Sequence, residues 1–277
     1  MLVTIKQAPG GIGGTITAPP SKSMAHRAVL CSALAEGASH IKNLEFSKDI
    51  SATLSATGQL CAKVRTGTDR AVVEGLGSFL PVSAPVDCCE SGSTLRFLIP
   101  VALLVNGAAS FTGHGRLMER PMKPYEDLFR ERGIAWRLED GVLTVDGGRG
   151  HGRLALEPGE YRLPGNVSSQ FFSGLLFTLP LLRGDSLLAS TTPLESVGYV
   201  NMTRQAMEAF GVETKWTKEG IFIPGSQTYR PAERTVEADW SQAAFWYAAA
   251  GTGSDVTVTG MDEGSIQGDR VILDWGR

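Results

Sequence analysis

The sequence predicts an α/β protein: one domain built from three copies of a single α/β unit, plus the start of a second, similar domain. Three observations carry this. Serine-rich helix starts recur at Ser21-Lys22-Ser23, Ser91-Gly92-Ser93-Thr94, Val167-Ser168-Ser169-Gln170 and Trp240-Ser241-Gln242, at intervals of 70, 76 and 73 residues. Each opens an apolar stretch that ends near a glycine, at Gly37, Gly107, Gly184 and Gly251. Strand and hairpin signals then follow in the same order. A period this long, with matching punctuation, is an internal repeat. No G-x-G-x-x-G follows a strand, which argues against a Rossmann sheet.

In the first unit, Met24, Ala28, Val29, Ala33 and Leu34 fall near helical spacing and Gly37 closes the helix. His40 to Leu44 reads as a strand, Asp49 as the cap of a second helix, and Ala62-Lys63-Val64 with Ala71-Val72-Val73 as a hairpin around Gly67. The second unit repeats this with a helix from Thr94 to Val105, a strand Ala109 to Thr112, a helix Pro124 to Arg132 and a hairpin turning at Asp140-Gly141. The third has a helix Ser169 to Leu182, a strand Ser186 to Ser190, a helix Asn201 to Phe210 and a hairpin at Glu219-Gly220. The fourth has Asp239 before a helix to Ala250, a strand Asp255 to Thr259, and a helix that starts near Asp269 and stops at Trp275-Gly276-Arg277. Its hairpin is absent. The expected division is 19–236 as a complete three-unit domain, with 1–18 and 237–277 as an incomplete second one that includes a strand from Leu2 to Ile5.

With 277 residues, 42% hydrophobic and 20% charged, the chain can bury a sizeable core. A net charge of −3 argues against a nucleic-acid binder, which needs a broad basic face. Phe97 to Val105 is too short to span a bilayer, and the start shows no secretory pattern. Cys31, Cys61, Cys88 and Cys89 form no CxxC pair, and His26, His40, His114 and His151 show no metal-ligand spacing. A reduced, cytoplasmic, monomeric protein without metal or cofactor is expected.

The helix starts hold the candidate chemistry. Lys22 and Ser23 stand at one, and Arg27 lies i+4 from Ser23, so hydroxyl and guanidinium can share an anion. The same residues also read as an N-cap serine followed by surface charges. Glu90-Ser91-Gly92-Ser93-Thr94-Leu95-Arg96 repeats the design, with Gly92 either admitting a ligand to the backbone or only turning the chain. Pro121 pushes Arg120 into an extended conformation, from which it can fork onto phosphate or carboxylate; a solvated charge is the alternative. Ser168, Ser169 and Gln170 offer more polar groups than a cap needs. Ser196 and Tyr199 lie in the loop after the next strand.

Together these motifs resemble the 5-enolpyruvylshikimate-3-phosphate synthase family: P-x-S-K-S-x-x-x-R at 19–27, S-G-S-T-x-R at 91–96, E-R-P at 119–121, V-S-S-Q-F at 167–171, S-x-x-Y at 196–199 and E-x-D-W-S-Q-A at 237–243. The resemblance implies two domains of three α/β units each, with the active site in the cleft between them. It implies transfer of the enolpyruvyl group of phosphoenolpyruvate to the 5-hydroxyl of shikimate-3-phosphate, with release of phosphate, in aromatic amino acid biosynthesis. It also implies residue roles. Lys22 is catalytic and touches both substrates. Ser23, Arg27, Ser168, Ser169, Gln170, Ser196 and Tyr199 hold shikimate-3-phosphate. Gly92 and Arg120, with Lys22 and Gln170, hold phosphoenolpyruvate.

The sequence departs from that family in places. Phe97 stands where proline is common and Glu90 where asparagine is common, and a carboxylate beside an anion site weakens it unless turned away. Six units need well over 400 residues, whereas this sequence ends in its fourth, before the family's acid–base carboxylates. The chain by itself is therefore expected to bind shikimate-3-phosphate without turnover. Two rivals are a non-catalytic phosphate-ligand-binding domain and a UDP-N-acetylglucosamine enolpyruvyl transferase. Against the latter, Phe111 to Met122 has no cysteine, and Ser23 stands where asparagine is expected.

Overall fold

A computed structural model of the chain describes residues 11–78, 84–105, 108–148 and 155–274. The repeat appears in it as three four-stranded sheets, each with two helices. The first set comprises α1 (Lys22–Leu34), β2 (Gly37–Lys42), α2 (Lys48–Leu60) and the hairpin β3 (Ala62–Thr66) with β4 (Arg70–Gly75). The second comprises β5 (Val86–Asp87), α3 (Gly92–Val105), β6 (Ala108–Thr112), α4 (Lys123–Glu131), β7 (Ala135–Glu139) and β8 (Val142–Asp146). The third comprises β9 (Gly159–Leu163), α5 (Ser169–Thr178), β10 (Ser186–Ser190), α6 (Val197–Glu208), β11 (Lys215–Trp216) and β12 (Ile221–Ile223). Finally come β13 (Glu233–Thr235), α7 (Trp240–Gly251) and β14 (Asp255–Thr259), the last paired with β1 (Gly13–Thr17).

The sheets share one order. A lead strand lies parallel to the strand after the central helix, and that strand pairs antiparallel with the hairpin: β5-β6-β8-β7, β9-β10-β12-β11 and β13-β2-β4-β3. The lead strand of the first sheet comes from the far end of the third unit, with Thr235 opposite Lys42, so the three units close on themselves. The lead strands β5, β9 and β13 are additions to the sequence reading.

Several boundaries differ from expectation. α1 ends at Leu34 with Ala35 as its cap, and Gly37, at φ 111°, opens β2 instead of closing the helix. Ser47, not Asp49, caps α2 by accepting the Ile50 N–H, and Asp49 sits in the first turn. α5 stops at Thr178 and passes into a 3₁₀ turn at Leu179–Leu181, where Pro180 withholds an N–H. α6 starts at Val197, four residues before the expected Asn201. The segment near Asp269 is a 3₁₀ helix, Gly268–Asp274. The expected strand at Leu2–Ile5, the helix end at Gly107 and the stop at Trp275-Gly276-Arg277 lie outside the described residues.

The core is built on α3 and α5. Every described side chain of α3 except Ser93 and Arg96 is buried, as is every one of α5 except Gln170. Their backbones approach closely. Pro100 cannot donate to the Arg96 carbonyl one turn earlier, and Gly174 packs against that oxygen: a Cβ there would lie 2.4 Å from it and 2.3 Å from the Tyr125 hydroxyl. Tyr125 and Tyr229 donate from their hydroxyls to the Phe171 and Phe177 carbonyls of α5, at 2.8 and 3.0 Å. A separate small cluster, Ala18, Ala238 and Ala243, packs with Tyr247, Val258 and Met261 beside β1 and β14. Two adjacent strands lead to it, tied by Ser21 N–H to Glu237 O and Asp239 N–H to Pro19 O, both 2.8 Å. Among the described residues no helix is long and apolar enough to cross a membrane.

Candidate functional site

Each of the four helix starts is capped by a side-chain oxygen. Ser21 accepts from Met24 N–H, Ser91 from Thr94, Ser168 from Gln170 and Asp239 from Gln242. The hydroxyls of Ser23 and Ser169 are not used as caps. Ser169 is buried, while Ser23 and Ser168 are half-buried.

The three unburied side chains of the two core helices bond to one another. The Gln170 amide accepts from Arg96 Nη1 at 2.7 Å through Oε1 and donates to Ser93 Oγ at 2.9 Å through Nε2. Arg96 lies over the Phe171 ring at 5.0 Å and donates to the Pro121 carbonyl at 3.2 Å; its buried Nε has no partner among the described residues. Burial and the nearby Arg120 both lower the Arg96 pKa. At Gly92 these groups meet, since a Cβ placed there would lie 2.7 Å from Arg120 Nη1, 3.4 Å from Arg96 Nη1 and 3.7 Å from Gln170 Oε1. Arg120 is exposed and extended, at φ −67° and ψ 145°, as the following proline requires. Two guanidiniums so close repel unless an anion lies between them. A glycine at this point leaves that anion room against the first N–H groups of α3.

Lys22 donates to the Asp49 carboxylate at 2.8 Å while more than half exposed, so the pair is weakly held and the ammonium is free to exchange onto a ligand. Its backbone N–H donates to Asp239 at 3.3 Å, so this one carboxylate links the starts of α1 and α7. Arg27 is placed differently from a free anion-binding arginine. It is 3% exposed and donates to Thr203 Oγ1 at 2.9 Å, the Ser23 carbonyl at 2.7 Å and the Tyr199 carbonyl at 2.9 Å. It thereby ties α1 to α6 and fixes the two backbones that carry Ser23 and Tyr199. Burial pushes its pKa down to about 10, so it remains charged at neutral pH. Ser196, exposed at φ 56° in the left-handed region, precedes α6 without capping it, and Tyr199 is half-buried one turn on.

A buried relay, which sequence reasoning missed, braces these helices. His26 Nδ1 meets Thr53 Oγ1 at 2.7 Å, Thr53 meets Thr94 Oγ1 at 2.6 Å, and Thr94 donates to Ser91 Oγ at 2.7 Å. His26 Nε2 is buried and unpartnered, so the tautomer with its proton on Nδ1 leaves only a lone pair orphaned. Burial pushes the imidazole pKa down to about 3, with the Arg27 and Lys22 charges adding and Asp49 opposing. Phe97 fills the space beside it, edge-on to His26 at 6.4 Å and to Phe177 at 5.4 Å. Arg96 was within a quoted motif, and its signal was a cation four residues after Gly92 in an otherwise apolar helix. The structure also assembles Asp87, Cys89 and His114, which 25 residues between Cys89 and His114 hide from any local spacing rule.

A sequence-family profile described as EPSP synthase (3-phosphoshikimate 1-carboxyvinyltransferase) matches residues 6–276. The chain belongs to the EPSP synthase family. A 3-phosphoshikimate 1-carboxyvinyltransferase of Clostridium beijerinckii is 42% identical over 278 residues, covering 98% of this chain and 63% of that protein. One from Clostridium perfringens (strain SM101 / Type A) is 42% identical over 270 residues, covering 96% of this chain and 62% of that protein. The chain thus spans a little under two thirds of the curated relatives it matches. An EPSP synthase structure from Acinetobacter baumannii at 2.37 Å superposes with a TM-score of 0.76 at 23% identity, covering 91% of this chain and 56% of that one; this likeness concerns the fold. The EPSP synthase fold accounts for the repeat and for the closure of three units through β13.

Proposed function

We propose that the chain forms the shikimate-3-phosphate-binding part of an enolpyruvyl transferase, which moves the enolpyruvyl group of phosphoenolpyruvate to the substrate 5-hydroxyl and releases phosphate. The observation that carries this reading is the meeting of Arg120, Arg96 and Gln170 over Gly92, at the mouth of α3 and beside the start of α5. In this reading Arg120, Lys22, Gln170 and the Gly92 backbone hold phosphoenolpyruvate, and Arg96 joins them by orienting Gln170. Ser23, Ser168, Ser169, Gln170, Ser196 and Tyr199 hold shikimate-3-phosphate. Lys22 lies between the two substrates and is the catalytic cation, neutralising charge as phosphate leaves. Arg27 contributes by fixing Ser23 and Tyr199, with its remaining N–H groups available to the substrate. We place the division at 19–236 against 1–18 with 237–277; the separate small cluster and the paired connecting strands support it. The setting is a cytoplasmic monomer.

Titration calorimetry tests the assignment. Arg120→Ala should weaken phosphoenolpyruvate about 10- to 100-fold, the loss of one or more charge-assisted bonds at roughly 1.5–3 kcal/mol each. Ser169→Ala should weaken shikimate-3-phosphate and leave phosphoenolpyruvate alone. Unchanged phosphoenolpyruvate binding in Arg120→Ala would overturn the anion-site assignment.

A further inference from the structure

β5 ends at Asp87 and α3 begins at Gly92, and the short connection between them faces the loop that follows β6. Asp87, Cys89 and His114 meet there, with a carboxylate oxygen, a sulfur and an imidazole nitrogen all within 4.8 Å of one another. Backbone bonds hold the trio together. Cys89 N–H donates to Asp87 Oδ1 at 2.8 Å, which leaves Oδ2 facing His114 Nε2 at 3.0 Å. The His114 N–H donates to the Cys89 carbonyl at 2.6 Å. Cys89 adopts φ 48°, a left-handed conformation that is strained for a residue with a Cβ and persists where the surroundings over-determine it. The three residues line a cavity of about 580 Å³ open to solvent, together with Lys48 and Glu90.

We propose that Asp87, Cys89 and His114 bind one divalent transition-metal ion, with zinc preferred, and that its fourth position is open to this cavity. Against the expectation from histidine spacing, the ligand set is a fitting one. Thiolate, imidazole and carboxylate are the three donor types zinc accepts, whereas magnesium and calcium take oxygens. Thiolate and carboxylate together balance the dication, and the thiol proton leaves to solvent as the metal binds. Around zinc, bonds of about 2.0–2.3 Å set ligand atoms roughly 3.3–3.8 Å apart. The carboxylate and imidazole already lie closer than that, so the trio has only to draw inward by about 1 Å at its widest, within the reach of side-chain rotation. The ion would pin the connection that carries Glu90 and enters α3 at Gly92.

The test uses the full 277-residue chain, stripped with a chelator and titrated with zinc against a chromophoric competitor, then loaded with cobalt(II) in place of zinc. One equivalent of zinc should bind, and cobalt should give a thiolate-to-metal charge-transfer band with the intense visible absorption of a tetrahedral site. Cys89→Ser should abolish the band. His114→Ala and Asp87→Asn should each lower zinc affinity by at least about 10-fold, the loss that removing even an outer-shell partner brings. His40→Ala, a histidine outside the trio, should leave affinity unchanged. Circular dichroism establishes that each variant is folded; if one is not, the wild-type cobalt spectrum decides alone. Absence of that band, zinc binding too weak to compete, or equal affinity in all variants would overturn the proposal.

Discussion

His26 offers a stability test that is independent of ligands. The imidazole is buried, its pKa is lowered to about 3, and the unfolded chain restores it to the ordinary value near 6.5. Between these two values the unfolded state binds a proton that the folded state refuses, so stability falls as pH falls. The sign follows from linkage: unfolding free energy rises with pH wherever the unfolded state holds more protons. With these two pKa values, lowering the pH from about 7.5 to about 4.5 costs roughly 2.6 kcal/mol through this residue alone. Below about pH 3 the loss levels off, because the folded state also protonates. The perturbation is His26→Asn, whose amide can still donate to Thr53 but does not titrate. It should cost stability at neutral pH through lost packing against Phe97, and that cost is independent of pH. Urea unfolding at several pH values should show a wild-type profile steeper than that of the variant by about 2.6 kcal/mol over the same interval. Parallel profiles would refute the argument and mean that the imidazole is accessible to protons in the folded state.

Two further substitutions probe the packing that positions the site. Gly174→Ala places a methyl 2.4 Å from the Arg96 carbonyl and 2.3 Å from the Tyr125 hydroxyl, so α3 and α5 must separate; thermal unfolding should report a loss of about 1–3 kcal/mol or more, and a neutral result would mean the crossing is looser than described. Arg27→Ala removes three charge-assisted bonds between α1 and α6 and should cost about 3 kcal/mol or more in urea unfolding while also weakening shikimate-3-phosphate; a loss of ligand affinity without a loss of stability would make Arg27 a direct ligand and not a brace.

What could be read from the sequence was whatever depends on local order. The helix starts at Lys22, Gly92, Ser169 and Trp240 were legible because a polar cap precedes an apolar run, and the turns at Asp140-Gly141 and Glu219-Gly220 because glycine marks them. The lead strands were not. β5 is two residues long and β13 three, and each is defined by a parallel partner distant in sequence, so neither carries a periodic signal. Asp49 lost the cap of α2 to Ser47 because either oxygen suits the role and only the entry angle of the chain decides. The motif residues Gly92, Arg120 and Gln170 were found together, and their meeting with Arg96 required two helices to cross. Arg27 was assigned to a ligand because its spacing from Ser23 is right, yet its burial and its bonds to α6 depend on a helix 170 residues on.

The pairing of β1 with β14 has a consequence for synthesis. Thr17 waits for Thr259, 242 residues later, so at ribosomal rates of about 5–20 residues per second β1 is without its partner for roughly 12 to 48 s. Throughout that time a strand with two free edges stands beside a body that can already close through β13 and β2. Such an edge invites pairing with other chains. The glycines at 13 and 14, poor strand formers, keep that early strand from committing to the wrong neighbour before its own arrives.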